Sequence, residues 1–314
     1  MERLVTDMTE TEILFDLLEK GISPAHAVSA CEKRLTDAGF EVVDYGTAWN
    51  LKAGGKYVIN HHETTLFAFT LPQNWSDREP AIRIAAAHTD FPCLRIKPSC
   101  DIQTNGYAQV NVEVYGGAIL NTWLDRPLGV AGRVAVRSED VFTPEVVTFQ
   151  SEKNLMTIPN LAIHMNREVN KGVELNKQTE LLPICGLSDD ADYFLDFLVK
   201  ELAVKKEDIL DFELTIYNKE KPEFVGLNDE FISASRLDNL NSCSALVSAI
   251  IDSDRADGMN LIALFDHEEI GSRSKQGAGS ILLHDMLVRI LTECGLEKEV
   301  WNRLYNSMIL SVDV

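Results

Sequence analysis

AIRIAAAHTD, at residues 81–90, is an apolar run that breaks at once into an imidazole, a hydroxyl and a carboxylate. The same shape returns in LIALFDHEE (261–269) and MILSVD (308–313). A short continuous apolar run suits a strand buried on both faces, and open α/β sheets carry their chemistry just beyond the carboxyl ends of their strands. Three such strands would deliver His88, Asp90, Glu268, Glu269 and Asp313 to one rim. The pattern predicts an α/β fold, a mixed sheet flanked by helices.

Working outward, residues 12–20 and 25–38 read as two helices, the first stopped by Gly21 and the second opened by Ser23 with Pro24 at its first position. Residues 57–59 and 65–71 read as a strand pair, followed by the loop PQNWSDREP (72–80). After Asp90 the texture changes to short β-rich runs at 94–96, 110–115, 132–136 and 146–150, separated by Gly, Asn and Pro turns. Residues 151–190 are polar and irregular, then a helix is expected at 192–202 and a strand at 209–217. From Asp238 the alternation of helix and strand resumes, with helices at 240–251 and 281–294. A β-rich block between two α/β-like regions predicts an inserted domain.

The chain has 314 residues, 45% of them apolar, and a net charge of −20. That length and apolar content supply a real core. The charge, with no basic cluster to oppose it, speaks against nucleic acid and anionic membrane surfaces as partners. Six scattered cysteines form no CxxC pair or dense framework, so reduced thiols and a cytoplasmic location are expected. The amino-terminal MERLVTDMTETE reads as neither a secretory leader nor a transit peptide, and no apolar stretch is long enough to span a bilayer.

A two-metal hydrolytic site needs imidazole and hard oxygen ligands, a carboxylate able to bridge, and a free carboxylate to take a proton from water. HTD at 88–90, LDN at 237–239, HEE at 267–269 and VD at 312–313 supply those types together. Asp90, two residues after His88, would lie on the same side of an extended segment and could fix the imidazole's tautomer. Glu268 and Glu269 would point in different directions in extended backbone, one to metal and one to substrate. Each feature alone has a plainer reading: paired acids are mostly solvated surface, a lone histidine is mostly structural, and Asp238 suits the N-cap of the helix that follows it.

These residues resemble the aspartyl aminopeptidase family of two-zinc exopeptidases. The resemblance rests on HTDFPCLRIKP (88–98), TWLDRPLGVAGRV (122–134), IPNLAIHMNREVNKG (158–172), SRLDNLNSC (235–243), FDHEEIGS (265–272) and SVDV (311–314). It implies a metallo-aminopeptidase that removes N-terminal residues, Asp or Glu foremost, from peptides through a metal-bridged water. It further implies His88 and Asp313 as ligands of one zinc, Asp238 as the bridging carboxylate, Glu269 as a ligand of the second zinc, Glu268 as general base and Asp90 as the residue orienting His88. His164 resembles a histidine that reaches a neighbouring subunit's site, with an ordinary surface role as the alternative. His267 is expected outside the metal shell, and His26, His61, His62 and His284 receive no role. Residues 1–90 and 234–314 correspond to a zinc-exopeptidase-like catalytic domain, and 91–233 to an inserted β-rich dimerisation domain in a family that builds dodecamers from dimers. Manganese or cobalt could replace zinc in a site of this composition.

Family members continue past the SxD strand to a histidine that completes the second zinc site, whereas this sequence stops at Val314. The catalytic domain is therefore expected to be incomplete at its carboxyl end, and the isolated chain weakly active or inactive. Two rival readings stand beside the peptidase: a related two-zinc deacylase, and a catalytically impaired truncated homologue that serves as an oligomerisation partner.

Overall fold

The computed structural model describes residues 8–75, 81–172 and 174–314. Parts of the amino-terminal stretch and of the 72–80 loop, residues 1–7 and 76–80, lie outside the described residues. The chain divides into two compact units, one built from Met1–Phe91 and Pro222–Val314, the other from Pro92–Lys221. In chain order the first unit contributes helices α1 (Glu10–Lys20) and α2 (Pro24–Asp37) and strands β1 (Glu41–Val42), β2 (Lys56–His61), β3 (Thr65–Thr70) and β4 (Ile82–His88). The second unit follows with β5 (Cys93–Thr104), β6 (Tyr107–Tyr115), β7 (Leu128–Val136), β8 (Glu145–Gln150), β9 (Ile184–Leu187), α3 (Tyr193–Leu202) and β10 (Ile209–Asn218). The first unit resumes with β11 (Glu223–Val225), β12 (Phe231–Ser233), α4 (Leu237–Ile251), β13 (Met259–Phe265), α5 (Leu282–Glu293), α6 (Val300–Tyr305) and β14 (Met308–Ser311). The β11–β12 hairpin, which the sequence groups with the β-rich block, thus clusters with the first unit.

The first unit's sheet runs β1-β2-β3-β13-β4-β14. Strands β13, β4 and β14 are mutually parallel, and β3 is antiparallel to β13. Every residue of β3 is buried, as a strand covered on both faces requires. On one face, Phe67, Phe69, Ile84, Leu261 and Phe265 pack with Met286 and Ile290 of α5. Helices α2 and α4 contact the sheet through β2 and β3, and through β4 and β13, and α1 packs on α4. Local chemistry sets the helix starts. Thr9 and Glu12 form a reciprocal capping box at α1, and Ser23 caps α2 ahead of Pro24.

The second unit is a wholly antiparallel sheet in the order β8-β7-β10-β5-β6-β9, with α3 packed on β5 and β6. Its core gathers Leu94, Val110, Leu128, Val130, Leu214 and Phe194. Strand β5 is far longer than its apolar start at 94–96 suggests. Its pairing with β6 shifts register between Ile96 and Asp101, across Pro98, a residue that cannot donate to a ladder. Among the described residues no helix is long and apolar enough to cross a membrane.

Candidate metal centre

The register of the parallel strands brings their carboxyl ends level. His88 at the end of β4 lies opposite Phe265 at the end of β13, and Ser311 of β14 lies opposite Ala86. The Thr89 N–H donates to Phe265 O at 2.8 Å, and the Val312 N–H to Ala86 O at 2.8 Å, so the rim stays hydrogen-bonded past the last paired residues. Asp238 arrives from the start of α4. Its backbone (φ −79°, ψ 111°) and that of Asn239 are non-helical, and the peptide between them is cis. Asp238 is therefore not the N-cap that its position before the helix suggests: Asn239 intervenes, and the regular helix begins at Leu240. Asn239, fully buried, donates from Nδ2 to Val312 O at 3.0 Å and so ties this segment to the residue before Asp313.

The side chains converge. His88 Nε2 lies 3.4 Å from Asp238 Oδ1, 3.5 Å from Asp313 Oδ1 and 3.9 Å from Glu268 Oε2. One ligand atom each from His88, Asp238 and Asp313 falls within 4.8 Å of the others. Two ligands bound tetrahedrally at zinc distances of ~2.1 Å sit about 3.4 Å apart, so the imidazole stands at coordination-shell spacing from each of the two carboxylates. His88 is buried, whereas Asp238, Asp313 and Glu268 are half exposed. Three half-exposed carboxylates thus surround a buried imidazole.

The electrostatics ask for a cation. Burial alone would lower the His88 pKa, but the hydrogen bond and charge of Asp90, with the charge of Glu268, push it up to about 9. The Asp238 carboxyl is also raised, first by burial and then by Asp313 and Asp90, against the pull of His88. Acids that crowd a buried imidazole strongly enough to keep a proton on it form a site that a divalent ion would neutralise. The donor set fits zinc.

Asp90 does more than face the imidazole. Fully buried, it approaches His88 Nδ1 with its carboxylate (3.3 Å) and with its backbone carbonyl (3.0 Å). The same carboxylate accepts the N–H groups of Glu268 and Glu269, each at 3.1 Å. The two glutamates lie on a 3₁₀ turn, Glu268–Ile270, and not on extended backbone. The turn arises because His267 adopts a left-handed conformation (φ 64°), so the directions of the two acids are set by this turn and not by strand alternation. Glu269 is partly buried and lies outside the tight cluster of His88, Asp238 and Asp313. His267 binds Ser274 through Nδ1, also outside that cluster. His164 belongs to the second unit, exposed in the irregular segment before the Val169–Lys171 turn.

Two contributors escape a reading of metal-ligand types. Cys243, on α4 and completely buried, donates from Sγ to His88 O at 3.0 Å. Asp266, also buried, has its carboxyl raised by burial and by Asp90, opposed by His267 and by a hydrogen bond from Thr64. The only sequence cue to Asp266 is an acid placed directly after a strand.

Comparison with known proteins identifies the family. Residues 17–314 match the model of a family described as aminopeptidase I zinc metalloprotease (M18). A probable M18 family aminopeptidase 2 of Clostridium novyi is 40% identical over 306 residues, covering 96% of this chain and 70% of its own length. The structure of mApe1 from Chaetomium thermophilum superposes with a TM-score of 0.85 at 28% identity, covering 97% of this chain and 75% of that one. A structure described as the S. cerevesiae mApe1 dodecamer shares the fold, with a TM-score of 0.75 at 23% identity over 97% of this chain and 71% of that one. With a family model spanning nearly the whole sequence and a relative this similar, the chain belongs to the M18 family of zinc aminopeptidases.

Proposed function

We propose that this chain carries the catalytic centre of a metallo-aminopeptidase that removes N-terminal residues from peptides. The observation that supports this most is the convergence of His88, Asp238 and Asp313, from three distant segments, with the imidazole at zinc-like spacing from both carboxylates on the rim of the first unit. His88 and Asp313 would hold one zinc, Asp238 would face both ions, and Glu269 would serve the second. Zinc, when bound, supplies Lewis acidity that polarises the scissile carbonyl and makes water easier to deprotonate. Manganese or cobalt would suit the same oxygen and nitrogen donors.

Glu268 is the general base in this reading. It is half exposed, with Oε2 3.9 Å from His88 Nε2, and its backbone is held by Asp90. It takes a proton from the attacking water and returns it to the nitrogen of the departing amine. Asp90 fixes the tautomer of His88 while anchoring the turn that carries Glu268. His164, exposed in the second unit, is free to serve a neighbouring subunit's site, and that unit would act in self-association toward dimers and the dodecamer named for the S. cerevesiae relative. Six free cysteines suit a reducing cytoplasm.

The preferred substrate is a peptide with N-terminal Asp or Glu, on the strength of the sequence resemblance. The deciding experiment assays the purified chain, with and without added zinc, on a panel of acidic and neutral aminoacyl chromogenic peptides. Slow, metal-dependent release of N-terminal Asp or Glu is expected, in keeping with the weak activity anticipated for a chain that spans 70% of its relative's length. Zinc binding without any release of N-terminal residues would overturn the peptidase reading, and faster release of neutral residues would overturn the specificity.

A further inference from the structure

Asp266, His267 and Ser274 lie in mutual contact at the entry to the Glu268 turn. His267 Nδ1 lies 2.6 Å from Ser274 Oγ, and His267 Nε2 lies 3.5 Å from Asp266 Oδ2. Asp266 Oδ1 accepts the His267 N–H at 2.8 Å. By connectivity this is Asp, His and Ser in series, the order of a nucleophilic triad. The hydroxyl's partners exclude that use. Ser274 Oγ accepts the N–H groups of Gln276 (3.3 Å) and Gly277 (3.1 Å), which fills both lone pairs. Its one proton must then go to His267 Nδ1. The hydrogen-bond pattern thereby makes Nδ1 an acceptor and puts the ring hydrogen on Nε2, 3.5 Å from Asp266 Oδ2, with Ser274 engaged on every side.

This trio is anchored at both ends. Thr65 Oγ1 accepts the Asp266 N–H at 3.2 Å and donates to Gln276 O at 2.8 Å, while Gln276 Nε2 donates to Thr64 Oγ1 at 2.7 Å. The loop after the turn folds back closely: the Gly279 N–H donates to Ser272 O, and a Cβ on Gly277 would meet that same oxygen at 2.4 Å. The left-handed backbone of His267, unusual outside glycine, is what turns the chain from β13 into Glu268–Ile270.

We propose that Ser274 and His267 are positioning residues that hold the Glu268–Glu269 turn at its entry while Asp90 holds its amides. The role rests on the assignment of Glu268 as general base. Asp90 grips the turn by its backbone amides and Ser274 grips it through the His267 ring, so neither contact uses the half-exposed Glu268 side chain that would move the proton.

The test compares the full chain with Ser274→Ala and Ser274→Thr by imidazole ¹⁵N NMR, amide hydrogen exchange over residues 267–272, and steady-state kinetics with zinc. In the unsubstituted chain the His267 resonances should report the Nε2–H tautomer. Ser274→Ala should lose that signature, raise exchange at the Glu268 and Glu269 amides, and lower kcat about tenfold with little change in KM or zinc content, the scale of losing an outer-shell partner. Ser274→Thr, which keeps the hydroxyl, should restore all three. An Nδ1–H tautomer in the unsubstituted chain, or unchanged exchange in Ser274→Ala, overturns the positioning role. If the unsubstituted chain hydrolyses no peptide, the peptidase reading fails while the spectroscopic and exchange results still decide the brace.

Discussion

Asp90 and Asp101 perform the same operation in different units. Each accepts two successive backbone N–H groups: Asp90 from Glu268 and Glu269, Asp101 from Phe194 at 2.7 Å and Leu195 at 3.2 Å. In the second unit the anchored segment is the start of α3, which carries Phe194 into an apolar core. In the first unit the anchored segment carries acids outward over a buried imidazole. A carboxylate on a pair of amides is thus a general way to pin a turn, and what the turn presents decides whether the result is packing or chemistry. The sheets differ to match. The second is antiparallel throughout, whereas the first brings three parallel strand ends to one rim.

The largest effect that would sharpen this contrast is Glu268→Gln. It should lower kcat by ~10²–10⁴-fold, the range of a lost general base, with zinc content unchanged by metal analysis. A fully active variant would remove Glu268 from that role. Next comes the pair Asp90→Asn and Asp101→Asn. The first should weaken zinc binding or activity by about 10–100-fold, measured by competition with a chelating dye. The second should leave zinc affinity untouched and cost ~1–3 kcal/mol in denaturant unfolding, from weakened charged hydrogen bonds. Equal effects on zinc would break the comparison.

A pH series gives a smaller, graded effect. Without metal the His88 pKa is pushed up to about 9 from its ordinary 6.5. The proton's contribution to stability is therefore fully present below about 6.5 and is lost as pH rises through about 9. Zinc must displace that proton, so apparent affinity should climb about tenfold per pH unit through this window and level off above it. Affinity independent of pH between 6.5 and 9 would contradict the charge balance described for the rim. The smallest expected change is Thr9→Ala, which removes the α1 capping box and should cost ~1 kcal/mol with no change at the rim.

Much of the first unit was legible because β3 and β13 are buried and read as continuous apolar runs, whereas β14, whose run at 308–311 reads the same way, is an edge strand with every residue exposed. Helix starts at Ser23 and the strands ending in His88 and Phe265 follow directly from such patterns. The site's ligand types were legible from their placement after those runs. What was hidden depends on backbone geometry set by distant partners. The turn at Glu268 exists because His267 is left-handed and braced by Ser274, seven residues on, and because Glu268 is held by Asp90, 178 residues away in sequence. Asp238 misreads as a cap because the break within the first residues of α4 leaves no local signature. Strand β5 outruns its apolar start because Pro98 falls at a register shift, and β9 is only partly buried, so neither shows a clear alternation.

The thiol of Cys243, pressed against the carbonyl of His88, gives the floor of the rim a chemical clock. Burial, then the nearby Cys31 and Asp90, keep it protonated well above the ordinary thiol range. An alkylating reagent can capture it only during moments when α4 lifts from β4. The labelling rate of this one sulfur would therefore count how often the polypeptide breathes beneath its own ligand.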